Sequence, residues 1–599
     1  MLNTPLENAF LGVDKSLSGK CWVEKNYNER NSLALSQKFS LPEIIGRLLD
    51  SRGIGHDGVN NFLEPRLSSS LPNPSHLIDL NVGVKRIIEA INLGDKITIF
   101  GDYDVDGATS TALLVRYFNL IGIDCGIYIP DRIKEGYGPN INAFKRLIND
   151  GTKLLITVDC GTTAFEPLSY AKENGLDVIV IDHHIAEVRL PEALAIINPN
   201  RLDETSEHTQ LAAVGVSFLL IVGLNKALRD NGFFSNETKI SEPNLMELID
   251  IVALGTVADM VALTGVNRAL VVQGLKVLAK RQNAGLAALA DVSRIDEVPT
   301  SYHLGFLLGP RVNAGGRVGE SNLGALLLST DSNDKAKEIA EKLNQYNLER
   351  KEIEANVLDE ALKIAEERVK DRSGHSIVLV AGENWHPGVI GIIASRLKEK
   401  YSLPACVLTS KDGKMTGSGR SVSGIDLGAC VIAARQAGII ENGGGHAMAA
   451  GFTLASNKLE IFEEFLSERI SKQIQSQKIV PKLNIDALLT LDGATEEFVS
   501  LLQKMGPFGS GNPEPRIAFE AVRIVKASIV GNDHVRCFLT GINSKKSLSA
   551  IAFRCVDSSL GKALLQNNGV PVHVAGKLRE NNWQGRTTVQ FLMDDASLV

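Results

Sequence analysis

Three aspartates stand at alternate positions in Asp102-Tyr-Asp104-Val-Asp106-Gly107, directly after the apolar run KITIF (96–100). Alternate carboxylates crowd negative charge, which is unfavourable unless a cation shares the space. Asp159 and the triplet Asp182-His183-His184 follow two further apolar runs, KLLITV (153–158) and DVIVI (177–181). Mixed carboxylate and imidazole ligands suit manganese or magnesium with a substrate phosphate, whereas structural zinc favours cysteine. Ligands from several strand ends invite two ions that clamp the attacking and leaving oxygens of a phosphoryl displacement. Asp259, in GTVADM, reads equally as a ligand and as a helix cap. An EF-hand loop also begins D-x-D-x-D-G, but it needs an acid where Leu113 stands. The chain has neither G-x-x-x-x-G-K-[ST] for nucleotide triphosphates nor a G-x-S-x-G elbow for acyl transfer.

Three glycine-rich segments offer phosphate binders. GSGRS (417–421) brings Ser418, Arg420 and Ser421 together, so backbone, hydroxyl and guanidinium donors share one loop. GGGHAMAAG (443–451) gives close backbone approach at Gly444 and Gly445 plus His446, and GPRVNAGGR (309–317) adds Arg311, Asn313 and Arg317. Each alone is as easily an ordinary turn. Beside a metal site they read together as a substrate cleft between two domains.

Several kinds of element must position these groups. The three apolar runs alternate with segments of helical spacing, which predicts parallel βαβ units with ligands at the carboxyl ends of the strands. Asp331–Arg372 is charged, free of Pro and Gly, and helical in its apolar spacing, so it reads as a connecting helix or helix pair. Alternation resumes after Ser373 as a smaller α/β domain. From Pro481 about five short strands predict an OB-like barrel. The expected fold is therefore α/β with an all-β C-terminal domain. The expected boundaries are an extension (1–40), a catalytic domain (41–330), the helix (331–372), a substrate-binding domain (373–480) and the barrel (481–599).

Length and composition are consistent with this. The 599 residues demand several domains, and 44% hydrophobic with 22% charged residues is ordinary for soluble protein. A net charge of −7 argues against a generally basic coat, although basic patches can be local. From Arg516 onward the chain is net positive, with Phe538, Phe553 and Trp583 interleaved; Phe553, within LSAIAFRC, is expected in the core. The seven scattered cysteines make no disulfide framework. The N-terminus lacks a secretory signal, and Leu211–Leu224 reads as a buried helix too short to span a bilayer. A cytoplasmic location with no membrane partner is expected.

At this point the sequence resembles the DHH phosphoesterase superfamily and, within it, the RecJ single-strand-specific exonuclease family. The resemblance rests on an ordered series: GDYDVDG, RIKEGYGP (132–139), TVDCGT, IDHH, GTVADM, GPRVNAGGR, WHPGVIGI (385–392), GSGRS, GGGHAMAAG and PFGSGNPEP (507–515). The family's pattern often has alanine where Gly315 stands. The resemblance implies 5′ to 3′ degradation of single-stranded DNA to mononucleotides in bacterial repair and recombination. It implies Asp102, Asp104, Asp106, Asp159, His183 and Asp259 around two manganese or magnesium ions, with His184 and Asp106 in catalytic roles and His184 facing the scissile phosphate. Arg132 and Tyr137 would contact the entering strand, and the barrel would grip DNA downstream. Expected partners are single-stranded DNA, a single-strand-binding protein and a helicase, the chain itself being a monomer. Two alternatives stay open: a phosphodiesterase for short oligonucleotides or cyclic dinucleotides, and a non-catalytic DHH scaffold in a replication complex.

Overall fold

The computed structural model describes residues 9–132, 134–235, 240–371, 376–477, 481–541, 546–583 and 586–599. The first sheet holds five parallel strands in the spatial order Cys125–Tyr128, Ile97–Gly101, Leu154–Val158, Asp177–Ile181 and Ala195–Ile197. Its central strands are buried along nearly their whole length, so they are mostly apolar and do not alternate. The chain moves outward from Ile97–Gly101 to one edge and then returns to Leu154–Val158 on the other side. That reversal is a topological switch point, where open α/β sheets bind ligands. Asp102 and Asp159 each follow one of these two strands.

Glycine permits the close approaches here. A Cβ on Gly107 would lie 2.4 Å from the Asp102 carbonyl oxygen, and one on Gly316 would lie 2.5 Å from that of Tyr103. The helices Val105–Leu120 and Gly309–Val318 can therefore press against the Asp102–Asp104 turn from two sides.

The connecting segment is one helix, Asn333–Asp371, of 39 residues. It spans about 58 Å at 1.5 Å per residue. Ala336, Ala340 and Leu343 enter the core of the first domain, while Val357, Ala361 and Ala365 enter the core of the second. Helical spacing at both ends locks the two domains onto a single rod. The second sheet runs Asn442–His446, Ala449–Ala455, Lys414–Arg420, Ala405–Lys411, Val378–Glu383.

The C-terminal strands Ile517–Val530, His534–Thr540, Ser547–Ala552, Val572–Trp583 and Arg586–Leu598 close into a barrel, because the first of them also pairs with Val572–Trp583. Closure removes the free edges. Phe553 is 53% exposed, against the expectation of a core position, and its ring meets His534 edge to face. The Trp583 side chain lies outside the described residues.

The boundary expected at residue 40 is not where the packing divides. Leu35, Ile45, Leu48, Val59 and Phe62 share a core with Phe498, Phe519 and Phe591 of the C-terminal region. Cys21–Glu24 pairs in parallel with Lys482–Ile485, and buried Trp22 donates its Nε1–H to Asp595 at 3.0 Å. Sequence separation hid this, since nothing local to residues 21–63 shows what covers their apolar face. The 507–515 loop in turn fastens the barrel to the first domain: Leu263 donates its N–H to the Ser510 carbonyl, and Ser301 Oγ to that of Phe508, both at 2.8 Å.

Candidate metal centre and phosphate pocket

Each acid is delivered by a strand end or a helix end. Asp104 caps the helix Val105–Leu120, accepting from the N–H groups of Asp106 and Gly107 at 2.9 and 3.1 Å. Asp106, fully buried, accepts from the first amides of the helix Ala213–Asp230, Ala213 at 2.6 Å and Val214 at 2.9 Å. Asp159 sits in the left-handed region at φ 60°. Asp259 follows the C-terminal end of the helix Ile249–Ala258, where the free groups are carbonyls that a carboxylate cannot cap, so its side chain is left for a ligand role.

His183 Nε2 lies 3.4 Å from Asp159 Oδ1, 3.6 Å from Asp259 Oδ2 and 3.8 Å from Asp106 Oδ2. Three sets offer ligand atoms within 4.8 Å of one another: Asp102, Asp104 and Asp159; Asp106, His183 and Asp259; Asp159, His183 and His184. Burial lifts the pKa values of Asp102, Asp106 and Asp159 well above the ordinary carboxylate range, and neighbouring carboxylates add to it. Asp259 is pushed up to about 7, by burial first and then by Asp104. Burial, then the charge of His184, brings His183 down to about 4, so it is neutral at pH 7. Oδ1 of Asp102, Oδ1 of Asp159 and Oδ2 of Asp259 are buried without a hydrogen-bond partner. A folded protein rarely leaves such oxygens bare, and a divalent cation fits them.

Asp182 does different work from its neighbours. It accepts N–H bonds from Thr162, His183 and His184, and its Oδ1 lies 2.7 Å from His184 Nδ1. Burial disfavours the charged form of His184, but the hydrogen bond to Asp182 overrides that and raises its pKa to about 9. Asn198 and Asn200 donate to the carbonyls of His184 and His183. The sequence reading missed Asn198 and Asn200 and took Asp182 only as a possible ligand. The one signal was the place of Asp182 before two histidines.

Asp102, Asp104, Asp106 and Asp259 line a cavity of about 370 Å³, shared with Arg132, Tyr137, Met260, Asn313, Gly316 and Arg317. Tyr137 Oη donates to the Asp159 carbonyl at 3.0 Å, and the Arg132 guanidinium stacks over Tyr103 at 4.9 Å. Arg317, which burial and the charge of Arg132 lower to about 10, also senses Arg420, and Arg420 in turn senses Arg132. Arg132 and Arg317 share the cavity with the carboxylates, and Arg420 is near enough for the three charges to act on one another. GSGRS is a strand and not a loop: Arg420 Nη1 donates to Ser418 Oγ at 3.1 Å. Arg420, Ala449 and His446 oppose one another across three adjacent strands, so their side chains share a face. Gly445, at φ 152°, lets the hairpin close, since a Cβ there would lie 2.3 Å from the Ala449 carbonyl oxygen. Gly444 has open space at its Cβ position.

Two expected phosphate binders are engaged elsewhere in the fold. Arg311 is spent on Asn344 Oδ1 and the Leu307 carbonyl, because GPRVNAGGR is a helix and residue 311 points to another side of it. Ser421 is fully buried and donates to the Ile425 carbonyl.

A parallel-sheet domain carrying this acid and histidine set, followed by a second α/β domain that carries Arg420, defines a DHH-type protein. The chain matches the DHH family N-terminal domain over residues 96–256, the DHHA1 domain over 374–472 and the RecJ OB domain over 485–595. It belongs to the RecJ family of single-stranded-DNA-specific exonucleases. The Escherichia coli RecJ exonuclease is 36% identical to it, covering 93% of this chain and 96% of its own length. The Bacillus subtilis relative is 31% identical, covering 96% and 71%. A Thermus thermophilus RecJ crystal structure with Mn2+ superposes with a TM-score of 0.79 at 27% identity, covering 96% of this chain and 79% of that one. A second structure of that protein, with Mg2+, gives 0.74 at 25% identity, covering 96% and 78%. No described helix is long and apolar enough to cross a membrane.

Proposed function

We infer that this chain hydrolyses single-stranded DNA from the 5′ end to mononucleotides, in repair and recombination, with two manganese or magnesium ions. The observation that carries the reading is the bare, buried carboxylate oxygens of Asp102 and Asp259 in one cavity that Arg132 and Arg317 also line. Asp102, Asp104 and Asp159 would hold one ion, and Asp106, His183 and Asp259 the other. Ions bound there supply Lewis-acid polarisation of the phosphoryl oxygens and acidify water. Asp106, tied to two amides, contributes fixed charge. His184, held by Asp182, presents a proton donor to the phosphate. Arg132, Arg317 and Arg420 bind the terminal phosphate, with Ser418 orienting Arg420, Tyr137 beside the strand, and Asn313, Gly444, Gly445 and His446 on the same wall. The domain limits expected above serve this reading with one change: residues 9–63 belong with the barrel. A single-strand-binding protein and a helicase as partners, and a monomeric state, complete the proposal.

The test compares a 5′-labelled single strand, a duplex and a dinucleotide, with and without manganese. Metal-dependent release of mononucleotides from the single strand alone is the expected result. Preference for the dinucleotide points to the short-oligonucleotide alternative, and inactivity on all three to a scaffold.

Two variants probe the assignments. Arg420→Lys keeps the charge but loses the planar fork, and kcat/KM should fall by roughly 10- to 100-fold. Wild-type kinetics would remove Arg420 from the phosphate site. Asp182→Asn should lower kcat by about 10²- to 10⁴-fold, the usual worth of a positioned acid or base, while KM and manganese affinity hold. An unchanged kcat would leave Asp182 as a structural group only.

A further inference from the structure

Asn267 does not line the cavity, yet it ties together the segments that carry three of the ligand candidates. It is fully buried in the first turn of the helix Gly265–Leu278. Its side-chain amide nitrogen donates twice, to the Gln210 carbonyl at 2.6 Å and to the Ala262 carbonyl at 3.0 Å. One NH2 group thus joins two stretches of chain that are remote from each other in sequence.

Both stretches lead directly to the acids. Just after Gln210, the Leu211 backbone lies within hydrogen-bonding reach of the His183 ring, and the amides of Ala213 and Val214 hold the two oxygens of Asp106. Ala262 follows Asp259 closely, with Met260 between them turned into the left-handed region at φ 61°. Asp106, His183 and Asp259 form one of the sets whose ligand atoms lie within 4.8 Å of one another. The set Asp102, Asp104 and Asp159 comes from the ends of the strands Ile97–Gly101 and Leu154–Val158, and from neither of these stretches. The far side of Ala262 is fixed as well. Leu263 donates its N–H to the Ser510 carbonyl, and a Cβ on Gly511 would lie 2.7 Å from that of Ala262. The stretch after Asp259 is therefore held between Asn267 and the loop that fastens the barrel.

We propose that Asn267 is a positioning residue that fixes Asp106, His183 and Asp259 as one divalent-cation site, acting through the Gln210 and Ala262 carbonyls. The proposal rests on the metal-dependent reading above and adds to it a group that touches neither ion nor substrate. An NH2 group suits the task because it offers two protons to two acceptors at once. Aspartate has the same shape but carries one proton at most, so it cannot hold both carbonyls. Groups that orient ligands from behind in this way govern roughly 10- to 100-fold in metal affinity.

The test titrates Mn2+ into the metal-free, full-length protein by calorimetry, where the wild type should show two classes of site. Asn267→Asp is expected to weaken one class by roughly 10- to 100-fold and to leave the other unchanged. Turnover of a single strand should fall at low Mn2+ and return toward the wild-type kcat in excess Mn2+, with KM for the strand unmoved. Should that variant fail to fold, Gly511→Ala takes its place. It stands at an exposed position, presses on Ala262 from the barrel side, and should weaken the same class. Wild-type affinity in both classes overturns the proposal. Equal weakening of both classes with a lowered Tm also overturns it, because that is the mark of a general packing residue. A wild type that binds no Mn2+, or binds it in a single class, would instead overturn the two-ion reading beneath it.

Discussion

Asp159→Asn is expected to lower turnover by about 10³-fold or more while single-strand binding changes little. A cation site supplies several kcal/mol of transition-state stabilisation, and each ~1.4 kcal/mol is tenfold in rate. The choice of residue and substitution comes from the fold. Asp104 also caps a helix, so Asp104→Ala would mix lost metal with a cap worth about 1 kcal/mol. Asp159 caps nothing, and at φ 60° asparagine is better tolerated than alanine. Stability should move the other way. Burial, with Asp104, Asp106 and Asp102 nearby, raises the folded pKa of Asp159 above its unfolded value. Ionising it therefore costs folding free energy as pH rises above about 3.8, the unfolded carboxylate value. In the metal-free state the Asn variant should melt at or above the wild type at pH 8, and the difference should shrink on acidification toward that value. Near-normal turnover in saturating manganese would remove Asp159 from the ligand set.

The second large effect is expected from deleting residues 481–599. The texture of the sequence suggests a detachable DNA-binding domain, whose loss should spare chemistry on short oligonucleotides. The packing contradicts that design. Deletion would uncover Leu35, Ile45, Leu48, Leu49, Val59 and Phe62, and would strip Trp22 of its Asp595 partner. Uncovering one large apolar side chain forfeits about 1.5–3 kcal/mol, and six of them exceed what most domains hold in reserve. The truncated chain should aggregate or bind a hydrophobic dye strongly, and a soluble, dye-negative product would show that this core is dispensable. The grip of the barrel on DNA is better tested by Lys526→Glu and Arg536→Glu, which reverse two exposed cations. Weaker binding to a long strand with a shallower salt dependence is expected, because fewer phosphates are neutralised.

How much was legible follows from how local each signal is. Strand ends announce themselves through an apolar run that stops at a charged residue, so Asp102, Asp104, Asp106, Asp159 and His183 were readable, whereas Asp259, at a helix end, read equally as a cap; the fold brings all six together. The five barrel strands were readable for the same reason. Arg311 was misread because a glycine-rich string looks like a loop until its neighbours show that it is helical; once it is, residues 311 and 317 point different ways. Ser421 was misread because hydroxyl donors next to arginine look the same whether they face a ligand or a buried carbonyl. Phe553 was placed inside because its strand is apolar, yet it follows the last paired residue and turns outward. The core shared by residues 21–63 and the barrel could not be read at all, since the partners lie more than 400 positions apart.

That distance also has a meaning in time. Trp22 and Asp595 are 573 positions apart, and ribosomes add roughly 5–20 residues per second, so the indole waits about half a minute to two minutes for its partner to be synthesised. During that interval the catalytic domain, whose contacts are nearer in sequence, can fold around its own sheet. The first helices remain an unclaimed greasy surface, open to chaperones and to neighbouring nascent chains. The strand Arg586–Leu598 carries Asp595 and completes the barrel between Ser547–Ala552 and Val572–Trp583. A nascent chain halted just before it should therefore stay bound to a chaperone, and emergence of this strand should coincide with loss of that binding.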